Sequence, residues 1–262
     1  MKKTAFLMAA LLALPAWAAD SLHISAGETY TIGKDQQRLS LASLTIGDGA
    51  KVIFADGVTH WQVRAEQASI GSDVVIDGSG QPGVAGANGT AGEPSADCLS
   101  GHAGAAGETG GKGGDGVIIR MQLGLLSLGD VQVLSHGGAG GAGGTGGNGS
   151  NAGTVDKSCK LVSEGGDAGA GGTGGNGGNA GDITFVYWPV NSAVDVSAVV
   201  NLVEATAQAG LAGDGGTPGS PGEGSEGRYI KKKTLTGSRA WSGGGESGAE
   251  AKAGKDGKEG LS

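Results

Sequence analysis

The sequence predicts an all-β chain that also carries polyproline II (PPII): a short parallel β-solenoid with three inserted PPII hairpins. Three observations carry this expectation. Residues 21–76, 117–136 and 182–209 are rich in Val, Ile, Leu and Thr, with short apolar alternations such as KVIFADGVTHWQV. The segments SLTIGDGAKVIF, ASIGSDVVIDG and LSLGDVQVLSHG share a pattern that sets Ile46, Ile70 and Leu128 in register, with Ile24 22 residues before Ile46. Between the β-like stretches, glycine recurs at every third position, as in HGGAGGAGGTGGNG from His136.

The first element is a leader. Residues 1–19 hold Lys2 and Lys3, an apolar run from Ala5 to Leu14, and a small-x-small site at Ala16-Trp17-Ala18. That is the layout of a secretory signal peptide cleaved after Ala18 or Ala19. The apolar run is too short to span a bilayer, so an exported product is expected, periplasmic or at the cell surface. The formal charge of −8 becomes about −10 once Lys2 and Lys3 leave, which opposes general nucleic-acid binding.

The β rungs come next, over 20–79, 117–136 and 182–209. Repeats of roughly 20–30 residues, each a few short strands and turns, suit a solenoid whose inward side chains stack in columns. The alternative is a β-sandwich with glycine-rich insertions.

The glycine-rich segments are 80–116, 137–181 and 210–262. Collagen is excluded, because only six prolines accompany 58 glycines and the Gly-X-Y register is broken. A three-residue period is that of PPII, in which a 13-residue run extends roughly 40 Å. Each segment holds an outgoing run (80–92, 137–149, 210–222) and a later one (101–116, 166–181, 245–260), interrupted only at Ala251. Each pair reads as a hairpin, giving six PPII helices in two layers of three. Glycine on one face lets a neighbouring backbone approach closely enough for interchain N–H···O bonds. The three pairs contain 13, 18 and 11 glycines in 29 residues, so the second pair belongs in the middle, with neighbours on both sides. One conflict remains: PPII helices need more room than one strand spacing, so the hairpins should splay or the rungs twist.

Cys98 and Cys159 fall in the tips of the first and second hairpins. An oxidising compartment favours their pairing. With these repeats and tip cysteines, the glycine pattern resembles known PPII assemblies: the snow flea antifreeze protein, the glycine-rich sandwich of phage tail-fibre adhesins and mycobacterial PGRS domains. The β part resembles a short pectin-lyase-like helix, which implies a right-handed solenoid. These relatives differ in function, so the resemblance does not choose one.

The candidate binding site is the third tip, RYIKKKTLTGSRAW, with Arg228, Tyr229, Lys231, Lys232, Lys233, Arg239 and Trp241 in an otherwise acidic chain. The phage-adhesin resemblance implies recognition by such tip loops. A basic-aromatic loop suits an acidic polysaccharide, a lipopolysaccharide phosphate or an acidic surface protein. The stretch GGKGGDGVI fits a calcium-repeat pattern with Asp115 as the carboxylate, but it has no tandem partner, so its bland reading is a turn-forming Asp. His136, Asp115 and Asp182 could meet at the hairpin bases as a metal site. Asp48, Asp73 and Asp130 at rung corners, with Arg64 and Arg120, are what a polysaccharide lyase would draw on, although Gly and Asp also simply form turns. Ice binding by faces bearing Thr90, Thr145 and Thr173 is the other alternative. No cofactor and no catalytic constellation is expected. The leading expectation is a non-enzymatic binding protein.

Overall fold

The computed structural model describes residues 20–156, 159, 162–191, 199–227, 229–231, 239–241 and 243–262. The leader lies outside them. Ten strands form two parallel sheets. The first sheet contains β1 (Ser21–Ile24), β3 (Arg38–Ile46), β5 (His60–Ile70), β7 (Ile118–Leu128) and β9 (Ile183–Pro189), in that spatial order. The second contains β2 (Thr29–Ile32), β4 (Lys51–Phe54), β6 (Val74–Asp77), β8 (Val131–Leu134) and β10 (Val203–Thr206). Helix among the described residues amounts to one turn at Val199–Leu202 and a 3-10 turn at Lys34–Gln36.

The chain alternates between the sheets, and every pairing within them is parallel. Sandwich folds are built from antiparallel sheets, so the parallel pairing excludes that alternative. Register follows the apolar column. Ile24 pairs with Ile46, Ile46 with Ile70, and Ile70 with Leu128. Slipping by one residue would turn the whole apolar set outward. Ile24, Ile46 and Ile70 are at most 2% exposed, and burial of each is worth roughly 1.5–3 kcal/mol. Trp61 and Phe54 join the sheets through an edge-on ring contact at 5.7 Å.

The corner after the column is tight. Gly27, Gly49 and Asp73 occupy it with φ of 70, 66 and 57°, a left-handed conformation in which Asp is tolerated better than most residues. Asp130 shares this corner, since Val74 and Val131 are register partners and Val74 N–H donates to Asp130 O at 3.0 Å, but its backbone differs. Its turn, Gly129-Asp130 between Leu128 and Val131, is one residue shorter and has no left-handed residue.

The glycine runs are not strands, yet backbone bonds tie them together throughout. Runs 80–92, 137–149 and 210–222 lie parallel, with Gly83 N–H donating to Ala139 O at 2.8 Å and Gly140 N–H to Leu211 O at 2.9 Å. Runs 101–116, 166–181 and 245–260 are joined likewise, Gly104 donating to Asp167 and Gly171 to Lys252. Antiparallel bonds cross between the two sets in chain order: Gly111 to Val84, Gly141 to Gly111, Gly175 to Gly141, Gly213 to Gly175, and Gly257 to Gly213. The third and fourth runs are thus bonded to four others, and the first and last to two.

Glycine content follows these neighbours. In the third run the Gly137 column donates sideways and the Gly138 column donates across. A Cβ on either would overlap a neighbouring carbonyl. At the positions equivalent to Gly138, Gly141, Gly144 and Gly147, the first run carries Gln81, Val84, Ala87 and Thr90, because no run precedes it. The third residue of each triplet faces solvent, and several of its N–H groups are met by a side chain from the preceding run of the same set. Asn88 Oδ1 accepts from Thr145 N–H at 2.9 Å, Asn148 Oδ1 from Ser220 at 2.8 Å and Asn176 Oδ1 from Lys258 at 2.9 Å.

The expected splay does not occur. The strand ladder passes straight into the runs: Gly78 N–H bonds Leu134 O, Gly80 bonds His136 O and, at the far end, Gly92 bonds Asn148 O, each at 2.8 Å. Bonds of equal length at base and tip require parallel runs, and the missing Cβ atoms leave room for that approach. Cys98 and Cys159 form a disulfide with their Cα atoms 5.2 Å apart, and Cys98 N–H bonds Thr154 O at 3.0 Å. The staple therefore joins the first two tips, as their positions in the sequence suggest.

Candidate functional site

The third tip contains a small antiparallel ribbon, β11 (Tyr229–Lys231) paired with β12 (Arg239–Trp241). Its register sets Tyr229 opposite Trp241 and Lys231 opposite Arg239. Four of the seven predicted tip residues thus fall on two neighbouring strands. Arg228, Lys232 and Lys233 lie outside the described residues.

Asp115 has a structural task. Its Oδ1 accepts from Lys112 Nζ and from the backbone N–H of Asn179, both at 2.8 Å. The bond to the Lys112 ammonium, then the Asn179 amide, holds its carboxyl below the ordinary Asp range. It bridges the second run to the fourth as the asparagines do elsewhere. His136 and Asp182 do not join it: among the described residues the one cluster of metal-ligating atoms is Cys98, Asp156 and Cys159. Both sulfurs there are in the disulfide, so neither offers a thiolate.

The lyase residues gather only in part: Asp73 and Asp130 line one recess, but the arginines lie away from them. Asp48 and Asp73 sit at the corner after the Ile46–Ile70 column, and Asp48 Oδ1 accepts from Ser72 N–H at 2.8 Å. Arg64 lies six residues upstream of Ile70 on the same strand, roughly 20 Å along a strand. The three threonines do not share a face either. The Thr90 carbonyl accepts across the two sets from Ala105, that of Thr145 accepts sideways from Gly89, and that of Thr173 lies in the other set and accepts from Gly110.

One cluster is visible only once strands are paired. Gln62 on β5 is the register partner of both Arg38 and Arg120, and Arg64 is the partner of Gln122. All five are on the outer face of the first sheet, between inward residues such as Val63 and Met121. Arg38, His60, Gln62 and Arg120 line a recess of about 300 Å³. Further along the same face, Trp188 of β9 is the register partner of Gly124 and is 38% exposed. The alternations Gln62-Val63-Arg64 and Arg120-Met121-Gln122 contain the signal, but only pairing across 50 or more residues brings them together.

Among the described residues no helix is long and apolar enough to cross a membrane. No family model matches the chain. No curated protein matches it either. Among solved structures, a springtail antifreeze protein from Granisotoma rainieri, described as a nine polyproline type II helical bundle, is similar at 25% identity, covering 68% of this chain and 92% of that one. Its TM-score is 0.12, and a likeness at that level carries no structural argument.

Proposed function

We infer that the chain is an exported, non-enzymatic recognition protein whose third hairpin tip is held out for binding. In this reading the two parallel sheets are rungs of a short right-handed β-solenoid over 20–79, 117–136 and 182–209. The six bonded runs are PPII helices in two layers of three, forming hairpins over 80–116, 137–181 and 210–262. The three-residue stride of their bonds supports PPII, and the alternation of the chain between two parallel sheets supports the solenoid. The disulfide suits an oxidising compartment, the periplasm or the cell surface.

The observation that carries the recognition role is the tip ribbon, whose register brings Lys231 beside Arg239 and Tyr229 beside Trp241. Cations and aromatics on adjacent strands fit a ligand that is both anionic and ring-bearing: an acidic polysaccharide, a lipopolysaccharide or an acidic surface protein. A glycan and lipopolysaccharide screen tests this with the wild type beside a Lys231→Ala/Lys232→Ala/Lys233→Ala variant. Wild-type binding to an acidic glycan, lost in the variant, is the expected result. Equal binding by the two proteins would sink the tip as the recognition site.

A further inference from the structure

We propose that the outer face of the first sheet is a second binding surface, independent of the hairpin tip, and that its ligand is a linear acidic glycan. Arg38 and Arg120 flank Gln62 in one register row, and Arg64 and Gln122 stand in a neighbouring row. Two strand spacings put Arg38 and Arg120 roughly 10 Å apart, with Arg64 offset by about 7 Å along the strand. The three arginines thus mark the corners of a triangle on a protein whose formal net charge is −8.

They are not used to hold the fold. Ion pairs among the described residues are Lys51–Asp77 and Lys112–Asp115, and none of the three arginines enters a side-chain hydrogen bond. Glu66 follows Arg64 on β5, and Asp35 precedes Arg38, but neither pairs with an arginine. Guanidinium is suited to bidentate recognition of carboxylate and sulfate, while Gln62 and Gln122 offer both donors and acceptors for hydroxyls.

The aromatic component is Trp188. A Cβ at Gly124 would overlap the Glu66 carbonyl first and would also lie 2.9 Å from Trp188 Nε1, so the indole stands close over this glycine. An exposed indole on the same sheet as these cations presents one apolar face and several charged donors. Sugars with acidic substituents match that pattern, having apolar C–H faces and anionic groups spaced along a chain. Nucleic acid also has anions and flat rings, but the net charge of the protein opposes a long polyanion with dense phosphates, and three cations over this distance match sparser charge.

The test is titration calorimetry of the intact mature protein with alginate (carboxylate), dextran sulfate (sulfate) and neutral dextran. Four proteins are compared: wild type, Arg38→Gln/Arg64→Gln/Arg120→Gln, Trp188→Ala, and the tip variant with Lys231, Lys232 and Lys233 changed to Ala. Wild type should bind one or both acidic polymers and not dextran, with affinity falling as salt rises. The arginine variant, melting as wild type does, should lose one of the binding events, weakening it about tenfold or more, and the tip variant should keep that event whatever it loses at the tip itself. Trp188→Ala should weaken binding by several-fold, about what loss of one stacking platform costs. Equal binding by wild type and the arginine variant overturns the proposal, as does wild-type binding no tighter to the acidic polymers than to dextran. Binding lost in the tip variant alone places the site at the tip, which overturns this surface and leaves the tip reading standing.

Discussion

Replacing Gly144 by alanine is the sharpest test of how the runs pack, because two physical effects predict opposite signs. Where alanine fits the native backbone, it stabilises by about 0.4–1 kcal/mol by restricting the unfolded chain. At Gly144 it does not fit. A Cβ there would overlap the Ala87 carbonyl, lying 2.5 Å from its carbon, whereas ordinary contact begins near 3.4 Å. Roughly 1 Å of separation between the first and third runs is needed to relieve it. The flanking bonds between those runs are Gly86 N–H to Ala142 O at 2.8 Å and Gly89 N–H to Thr145 O at 2.7 Å, and the Gly144 N–H bond to Glu108 O at 2.9 Å lies beside them. Losing two or three bonds at about 1 kcal/mol each outweighs the entropic gain and leaves a net loss of about 2 kcal/mol. For a chain of this size that lowers Tm by roughly 4–8 °C, measurable by calorimetry on the mature protein. Gly111→Ala is the control. Its Cβ would meet Val84 N at 3.1 Å and Val84 O at 3.2 Å, tight but without overlap, so its change should be small. A Gly144→Ala protein that melts at or above the wild-type temperature refutes the packing argument.

Three further outcomes follow from the same geometry. Ala251 interrupts the last run: Gly248 and Gly254 donate to Gly222 and Gly216, but no bond joins Ala251 N–H to Gly219 O. Ala251→Gly should restore that bond, worth about 1 kcal/mol, against a similar entropic loss. Stability should therefore barely move, while hydrogen exchange should show a protected amide at 251. Opening the Cys98–Cys159 disulfide releases a loop of 61 residues, a loss of roughly 4 kcal/mol in the chain-entropy model. Limited proteolysis should then cut the glycine-rich tips faster, and unchanged cleavage would count against the staple. Asp115 supplies a pH dependence. Its folded pKa is depressed, so its stabilising contribution is full above the unfolded value near 4 and is lost as pH falls through the folded value. Acid titration of Asp115→Asn, which keeps an acceptor for Asn179 N–H, should lack that part of the acid destabilisation.

Different parts of this structure were legible in the sequence to different depths. The Ile24–Ile46–Ile70–Leu128 column was readable because a parallel register repeats one pattern at a nearly fixed interval. The order of the glycine runs was readable because glycine marks where a backbone passes, so its density reports how many neighbours a run has. Splay was wrongly expected because an ordinary spacing was assumed for chains that have no Cβ to enforce it. Asp115 resembled a calcium ligand because an Asx bridge and a metal ligand use the same side chain, and only the positions of Lys112 and Asn179 separate them. The arginine face was invisible for a simpler reason: Arg38, Arg64 and Arg120 become neighbours through strand pairing, not through spacing.

The outer edge of the third hairpin is built differently from the interior of the array. In the third run, the sideways donors are Gly137, Gly140, Gly143, Gly146 and Gly149. The equivalent positions in the fifth run are Ala209, Ala212, Gly215, Pro218 and Pro221. Two have no N–H to give, two carry methyl groups, and the Gly215 N–H is taken by Asp256 Oδ1 at 2.8 Å. The matching column of the last run is Ser247, Glu250, Ala253, Asp256 and Glu259, with three carboxylates. Proline and charge are the devices by which sheet edges avoid adding strands, and here they close the open side of a glycine array.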